Sequence, residues 1–337
     1  MATTIHLVVS LRLGELAADL RVLSPSRRLR DNGRMRISDT TSGSLFLPPL
    51  QHPRRTVGRR SFDFSRQIAV MAIVNRTPDS FFDEGRTFAL DAAVEAAMDA
   101  VRAGADWVDI GGVKFAPGPE LSADDEIERV LPVVRAVAQR SDVVISVDTF
   151  RHEVAEACIT AGAAVINDTT GLHDPDVARV VADSDATLVI THSLAEPRTP
   201  FPHPHYDDVV GEVATFLRRR VDRAVELGVP PERIVIDPGH DLNKSTRQTL
   251  ELTRRFAEIA EIGLPALAAV SNKDFIGETL DRDKPDRLAG SLAAATVCAM
   301  QGARIVRMHA ARESVDAMRL VEAVLGWREP AYERHNI

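Results

Sequence analysis

Cysteine is almost absent from this sequence, with only Cys158 and Cys298 in 337 residues. Both sit in alanine-rich helical pattern, so they read as small core residues in a reducing compartment, and these two cysteines are expected neither to pair as a disulfide nor to bind a metal. Aromatic residues make up 5% of the chain, and no run of about eighteen apolar residues occurs, which excludes a membrane span on hydropathy. Lysine is nearly missing too: Lys114, Lys244, Lys273 and Lys284 stand in a background that otherwise uses arginine. The net charge of −8 argues against nucleic acid as a partner. Apolar residues at 45% and charged residues at 27% are those of a globular protein, expected in the cytoplasm.

The charge is unevenly spread. Residues 1–66 hold twelve arginines and no lysine against Glu15, Asp19, Asp31, Asp39 and Asp63, a balance of +7, so the remainder carries −15. The apolar run His6–Leu13 is short and has no basic flank before it, unlike a secretory signal. Residues 1–66 are therefore expected to be a disordered basic extension, or sequence upstream of a true start at Met35. Residues 67–328 form the folded domain on this reading, and residues 329–337 a tail.

From Ile68 the pattern is regular. Short β-branched runs at Ile68–Val74, Trp107–Ile110, Val143–Val147, Ala164–Ile166, Thr187–Thr191, Arg233–Ile236, Ala266–Val270 and Arg304–Arg307 alternate with helical stretches such as Leu90–Ala103, Asp124–Gln139, His152–Ala161, Asp207–Leu227 and Arg287–Gln301. Gly104, Gly162, Gly228 and Gly302 stand where helices should stop, suiting left-handed C-terminal caps. Strands this short and apolar are buried on both faces, as in a parallel sheet. Eight such units in about 260 residues close a parallel (β/α)8 barrel, the TIM barrel of the α/β class, and a doubly wound open sheet is the competing arrangement.

In a barrel the site is built at the C-terminal strand ends. The residues there are Asn75, Asp109, Asp148, Asn167, His192, Asp237, Ser271 to Lys273, and Arg307 with His309. One such residue is usually a helix cap, but eight polar strand ends converging on one mouth point to a ligand site. Three of the four lysines follow strands two, six and seven, which suggests a need for a compact ammonium where the chain otherwise uses a planar guanidinium. Acceptors at Asp148, Asn167 and Asp237 suit a ring edge rich in N–H donors, while Lys273, Arg307 and His309 suit an anion such as diphosphate.

These motifs resemble the dihydropteroate synthase family. Asn75-Arg76-Thr77-Pro78-Asp79-Ser80-Phe81 is similar to the signature NxTPDSF. Asp109-Ile110-Gly111-Gly112, Ser146-Val147-Asp148-Thr149, Ile166-Asn167-Asp168, Ile236-Asp237-Pro238-Gly239, Ser271-x-Lys273-x-Phe275-Ile276-Gly277 and Arg307-x-His309 follow in the family's order. The resemblance spans residues 68–327. It implies a pterin-binding barrel of folate biosynthesis that joins 6-hydroxymethyl-7,8-dihydropterin diphosphate to 4-aminobenzoate with the help of Mg2+, in a homodimer. By motif position Asp148, Asn167, Asp237 and Lys273 would read the ring. Arg307 would stack on it, and with His309 would bind the diphosphate. Asn75 would serve the metal and the diphosphate, and Ser271 the acceptor. Lys273, Arg307 and His309 would be the catalytic set.

Departures from the pattern are concentrated. Where the family loop after strand two reads GGESTRPG, this chain has Gly111-Gly112-Val113-Lys114-Phe115-Ala116-Pro117-Gly118. Phe115 thus replaces a threonine that the family uses for the acceptor, and Ala116 an arginine that contacts diphosphate. Losing a charged hydrogen bond to a leaving group costs about 2–4 kcal/mol of transition-state stabilisation, or roughly 30- to 1,000-fold in rate. Arg76 replaces an apolar residue; DPGIGFGK becomes Asp237-Pro238-Gly239-His240-Asp241-Leu242-Asn243-Lys244; SRKS becomes Ser271-Asn272-Lys273-Asp274; and Ala310 replaces an aspartate. Ring-reading positions are kept while acceptor and diphosphate positions change. The expectation is a pterin-binding paralogue with weak or lost turnover. The alternatives are a competent synthase with compensating loops at Arg76 and Lys114, or a pterin- or folate-binding barrel without this activity.

Overall fold

In the computed structural model the described residues are 47–75, 85–112, 121–197, 199–201 and 203–336, without the side chains of 75 and 85–89. A hairpin of β1 (Arg54–Val57) and β2 (Arg60–Asp63) precedes eight parallel strands that close on one another. These are β3 (Ala69–Asn75), β4 (Trp107–Gly111), β5 (Val144–Asp148), β6 (Val165–Asp168), β7 (Thr187–Thr191), β8 (Ile234–Asp237), β9 (Ala266–Ala268) and β10 (Ala303–Met308), with β10 paired to both β9 and β3. Closure excludes the open sheet. Alternation along each strand divides the core in two. On β3, Ala69 and Met71 point inward with Trp107, Val144, Val165, Val189, Val235, Leu267 and Ile305, while Ile68, Val70, Ala72 and Val74 face the helical layer. Two buried faces explain why these strands read as unbroken apolar runs.

The helical layer includes α1 (Gly85–Arg102), α2 (Ala123–Arg140), α3 (His152–Thr160), α4 (Asp176–Ala182), α5 (Val209–Glu226), α6 (Thr246–Arg254), α7 (Phe256–Ala260), α8 (Asp274–Leu280), α9 (Leu288–Met300) and α10 (Ala311–Val324). The expected helix stops hold: Gly104, Gly162, Gly228 and Gly302 all have positive φ, from 91° to 114°, the left-handed conformation in which a Cβ is penalised.

The domain boundary expected at residue 66 lies too late. Strands β1 and β2 pair antiparallel, and Val57, Phe62 and Phe64 are buried in the inner core. Phe62 stacks on Phe64 at 5.6 Å and meets Trp107 edge-on at 5.9 Å. Two of the arginines that make this stretch look like a solvated leader, Arg55 and Arg60, are engaged at the barrel floor. Arg55 Nη1 donates to the Ile234 carbonyl (2.6 Å), Arg60 to the Asp106 carbonyl and carboxylate (3.0 and 3.2 Å), and Arg304 Nε to the Phe64 carbonyl (2.8 Å). The hairpin plugs the N-terminal end of the barrel, so the C-terminal end is the open one. No described helix is long and apolar enough to cross a membrane. Cys158 and Cys298 are both buried and free.

Candidate functional site

Strand register sets the level of the site. Asn75 pairs with Gly111, Gly111 with Asp148, Asp148 with Asn167, and Thr191 with Asp237. The strand ends therefore present Asn75, Asp148, Asn167 and Asp237 around one mouth, with Ser271 and Lys273 beyond β9 and Arg307 on β10. The Asn75 side chain, residues 76–84 and residues 113–120 lie outside the described residues. With them lie the readings placed on Arg76, Lys114, Phe115 and Ala116.

At the centre stands Asp109, fully buried on β4. Its carboxylate accepts from Arg307 Nε (2.6 Å), Ser146 Oγ (2.5 Å) and Asn167 Nδ2 (3.2 Å). Arg307 Nη2 reaches Asp148 Oδ2 at 3.1 Å, so two carboxylates hold one guanidinium at fixed tilt. Sequence shows Asp109 as a polar strand end but not what it does there, which is to organise its neighbours. Asn167 donates its amide to Asp109 and keeps Oδ1 buried with no hydrogen-bond partner among the described residues. A buried acceptor left without a partner costs about 1–3 kcal/mol, and a ligand N–H is the natural means of meeting it.

Two carboxylates of this mouth hold their protons more tightly than usual. Burial raises Asp148 to about 7, against the opposing pull of Arg307. Burial also raises Asp237, whose Oδ1 accepts from the Gly239 amide at 2.7 Å while Lys273 and Arg307 pull the other way. Lys273 is shifted down, first by burial and then by Arg307, with Asp241 and Asp237 opposing.

His309 and Ser271 form a unit. The Ser271 hydroxyl accepts from the His309 amide (3.1 Å) and lies 2.9 Å from His309 Nδ1. Since that hydroxyl has a single proton, its geometry suits donation to Nδ1, which leaves the proton of a neutral imidazole on Nε2. Burial and the nearby Arg307 and Lys273 charges push His309 down to about 4, so it is a neutral donor at physiological pH. Ser271, expected beside the acceptor, already has its hydroxyl engaged here.

Lys244 faces inward. Its Nζ donates to the Gly239 (2.8 Å) and Leu242 (2.9 Å) carbonyls and lies 3.0 Å from His192 Nδ1. Three convergent acceptors are what a compact ammonium can meet and a planar guanidinium cannot. The lysine is a staple for the loop after β8. In that loop two motif glycines are gone: Asp241 and Asn243 stand in their place with positive φ of 64° and 51°. Aspartate and asparagine are the residues that best tolerate this region after glycine. Each new side chain is used. Asp241 Oδ2 accepts from the amides of Asp274 (2.6 Å) and Phe275 (3.3 Å) at the start of α8. Asn243 Oδ1 accepts from Ser193 Oγ (3.0 Å) and the amides of Leu194 (2.8 Å) and Ala195 (3.2 Å), anchoring the long loop after β7.

Among the described residues one group has metal-ligand geometry: His152, Asp174 and Asp176, with ligand atoms within 4.8 Å of one another. It lies at the starts of α3 and α4, where His152 Nδ1 meets Asp174 Oδ2 at 2.8 Å and Asp174 Oδ1 accepts the Asp176 amide at 2.9 Å. Those bonds cap α4.

The profile of the pterin binding enzyme family matches residues 71–309. Dihydropteroate synthase of Escherichia coli K12 is 40% identical over 261 residues, covering 77% of this chain and 93% of its own. Inactive dihydropteroate synthase 2 of Mycobacterium tuberculosis H37Rv is 43% identical over 267 residues, covering 77% and 84%. Among solved structures, Xanthomonas albilineans dihydropteroate synthase in complex with 7,8-dihydropteroate superposes with a TM-score of 0.73 at 38% identity, covering 81% of this chain and 98% of that one. With these matches, a closed barrel and the strand-end motifs in family order, the chain belongs to the dihydropteroate synthase family of pterin-binding enzymes.

Proposed function

We propose that this barrel binds a 7,8-dihydropterin bearing a diphosphate tail, and that it makes dihydropteroate slowly or not at all. The observation that carries the reading is Asn167 Oδ1, buried beside Asp148 at the mouth with no hydrogen-bond partner among the described residues. These three groups offer acceptors to the N–H edge of an aminopyrimidinone, and Asp109 fixes both Asn167 and the Arg307 guanidinium beside them. Lys273 completes the ring-reading set. Arg307 packs over the ring and, with the Nε2–H of His309, holds the diphosphate. Restraint by two carboxylates lets Arg307 act without the entropy loss of ordering a free side chain.

By motif position Asn75, whose side chain lies outside the described residues, would hold Mg2+, while Asp109 and Asp148 are engaged by Arg307 and its neighbours. Mg2+ commonly takes one or two protein oxygens and completes its shell with phosphate and water. Bound there, it would supply charge neutralisation to the diphosphate.

Slow turnover is read from the loop after β4, where Phe115 and Ala116 replace the threonine and arginine of the motif. We further place the protein in the cytoplasm as a homodimer without nucleic-acid or membrane partners. Two free buried cysteines and a net charge of −8 support the setting. Exposed Leu288, Val297, Leu320 and Val324 on α9 and α10 support a covered face. Diphosphate release in the presence of 4-aminobenzoate tests the catalytic half of the proposal. Turnover near one per second, an ordinary if low enzyme rate, would overturn it.

A further inference from the structure

Two carboxylates that the family motif does not contain have entered the β9 side of the mouth, where glycine and serine stand in DPGIGFGK and SRKS, and an arginine beside them has become Asn272. Relative to the motif this side is more negative by three charges, one from each replacement. Both carboxylates are placed against the features that would otherwise attract an anion. Asp241 Oδ2 takes the amides of Asp274 and Phe275, the donors at the start of α8. Asp241 is also the strongest opposing charge on Lys273, ahead of Asp237. Asp274 Oδ1 pairs with Arg287 Nη1 at 2.9 Å, and the same Arg287 atom donates to the Asn272 (3.0 Å) and Lys273 (3.2 Å) carbonyls. Cations and amide donors around the Ser271–Lys273 turn thus already face acceptors from within the chain.

The consequence is a charge preference for whatever enters beside the pterin. A carboxylate on this side would meet Asp241 and would have to displace it to reach the α8 amides, while the Asp274 charge is balanced by Arg287. An uncharged ligand of the same shape meets no such opposition. Juxtaposed like charges are a common means of excluding a ligand.

We propose that Asp241 makes the β9 side of the mouth select against carboxylate-bearing second ligands, so that an amine taken beside the pterin is one without an acid group. This rests on the reading of the mouth as a pterin site.

The test compares 4-aminobenzoate with its neutral amide, 4-aminobenzamide, by calorimetry on the full chain. Titrations are made with and without 6-hydroxymethyl-7,8-dihydropterin diphosphate and Mg2+, in wild type, Asp241→Asn and Asp274→Ser. Asparagine keeps the tolerance for positive φ and removes the charge, so the loop retains its shape. The wild type should bind the amide at least as well as the acid, and Asp241→Asn should move the ratio toward the acid by about tenfold or more. A wild type that prefers the acid, a ratio unmoved by Asp241→Asn, or no binding of either compound under both conditions overturns the inference. Pterin binding is read independently in the same series. Its loss would tell against the proposed function, whereas a pterin-binding protein with an unmoved ratio would tell against the charge selection alone.

Discussion

Replacing Asp109 by asparagine should destabilise the protein by about 3 kcal/mol, the lower end of the roughly 3–5 kcal/mol that breaking a buried ion pair costs. The wild-type carboxylate is inaccessible to solvent and takes three donors, from Arg307, Ser146 and Asn167. Asparagine fills the same volume and can keep its one oxygen on Arg307 and Asn167, with its NH2 toward Ser146 Oγ, whose hydroxyl can turn to accept. What is lost is the negative charge, so Arg307 keeps only one of its two carboxylates. The lower end applies because Asp148 still holds Arg307 at 3.1 Å and the guanidinium side chain remains 17% exposed. A loss of that size would lower the melting temperature by roughly 6–12 °C, at about 2–4 °C per kcal/mol for a domain of this size. Urea unfolding followed by circular dichroism measures it. Combining Asp109→Asn with Arg307→Met should cost less than the sum of the single changes, since the second removes the charge that the first leaves unbalanced. A single-mutant loss below about 1 kcal/mol, typical of exposed pairs, together with strict additivity, would refute the buried network as the organiser of the mouth.

Three further outcomes are expected. Phe64→Ala, at the barrel floor, should cost about 3–5 kcal/mol as a buried aromatic does; a neutral effect in the same unfolding assay would return residues 54–64 to a solvated leader. Because burial raises Asp148 to about 7, its acceptor form is lost as pH falls through that value. Pterin affinity should then drop by roughly tenfold per unit on the acid side, and Asp148→Asn should flatten that profile in calorimetry between pH 5 and 8. Changing Phe115 to Thr together with Ala116 to Arg should raise diphosphate release by about 30- to 1,000-fold; no gain would move the catalytic defect to Arg76 or Asn272.

The barrel is legible in the sequence because its signals are local and repeated. A strand such as Thr187–Thr191 is buried along its whole length, with Leu188 and Ile190 facing the helices and Val189 the barrel interior, so both faces favour apolar residues. Glycines such as Gly162 mark helix ends by a conformation that other residues avoid. The strand-end residues are legible for a related reason: one polar group closing an apolar run is usually a helix cap, but eight of them at one end of a barrel converge on a single mouth. Composition hides the hairpin, because Arg55 and Arg60 look solvated in sequence while their partners, the Ile234 and Asp106 carbonyls, are far away along the chain. Asp109 is hidden as an organiser because its importance lies in three distant donors. Asp241 and Asn243 read as lost glycines, whereas the fold keeps the glycine-like φ and gives both side chains new partners.

Recognition of a pterin through Asp148, Asn167 and Asp237 is the central claim. Calorimetry of the full chain with 6-hydroxymethyl-7,8-dihydropterin diphosphate and Mg2+ tests it most directly. Saturable one-site binding that Asn167→Leu abolishes is the expected result. No heat of binding at millimolar ligand, or binding unchanged in the Asn167→Leu protein, would contradict it.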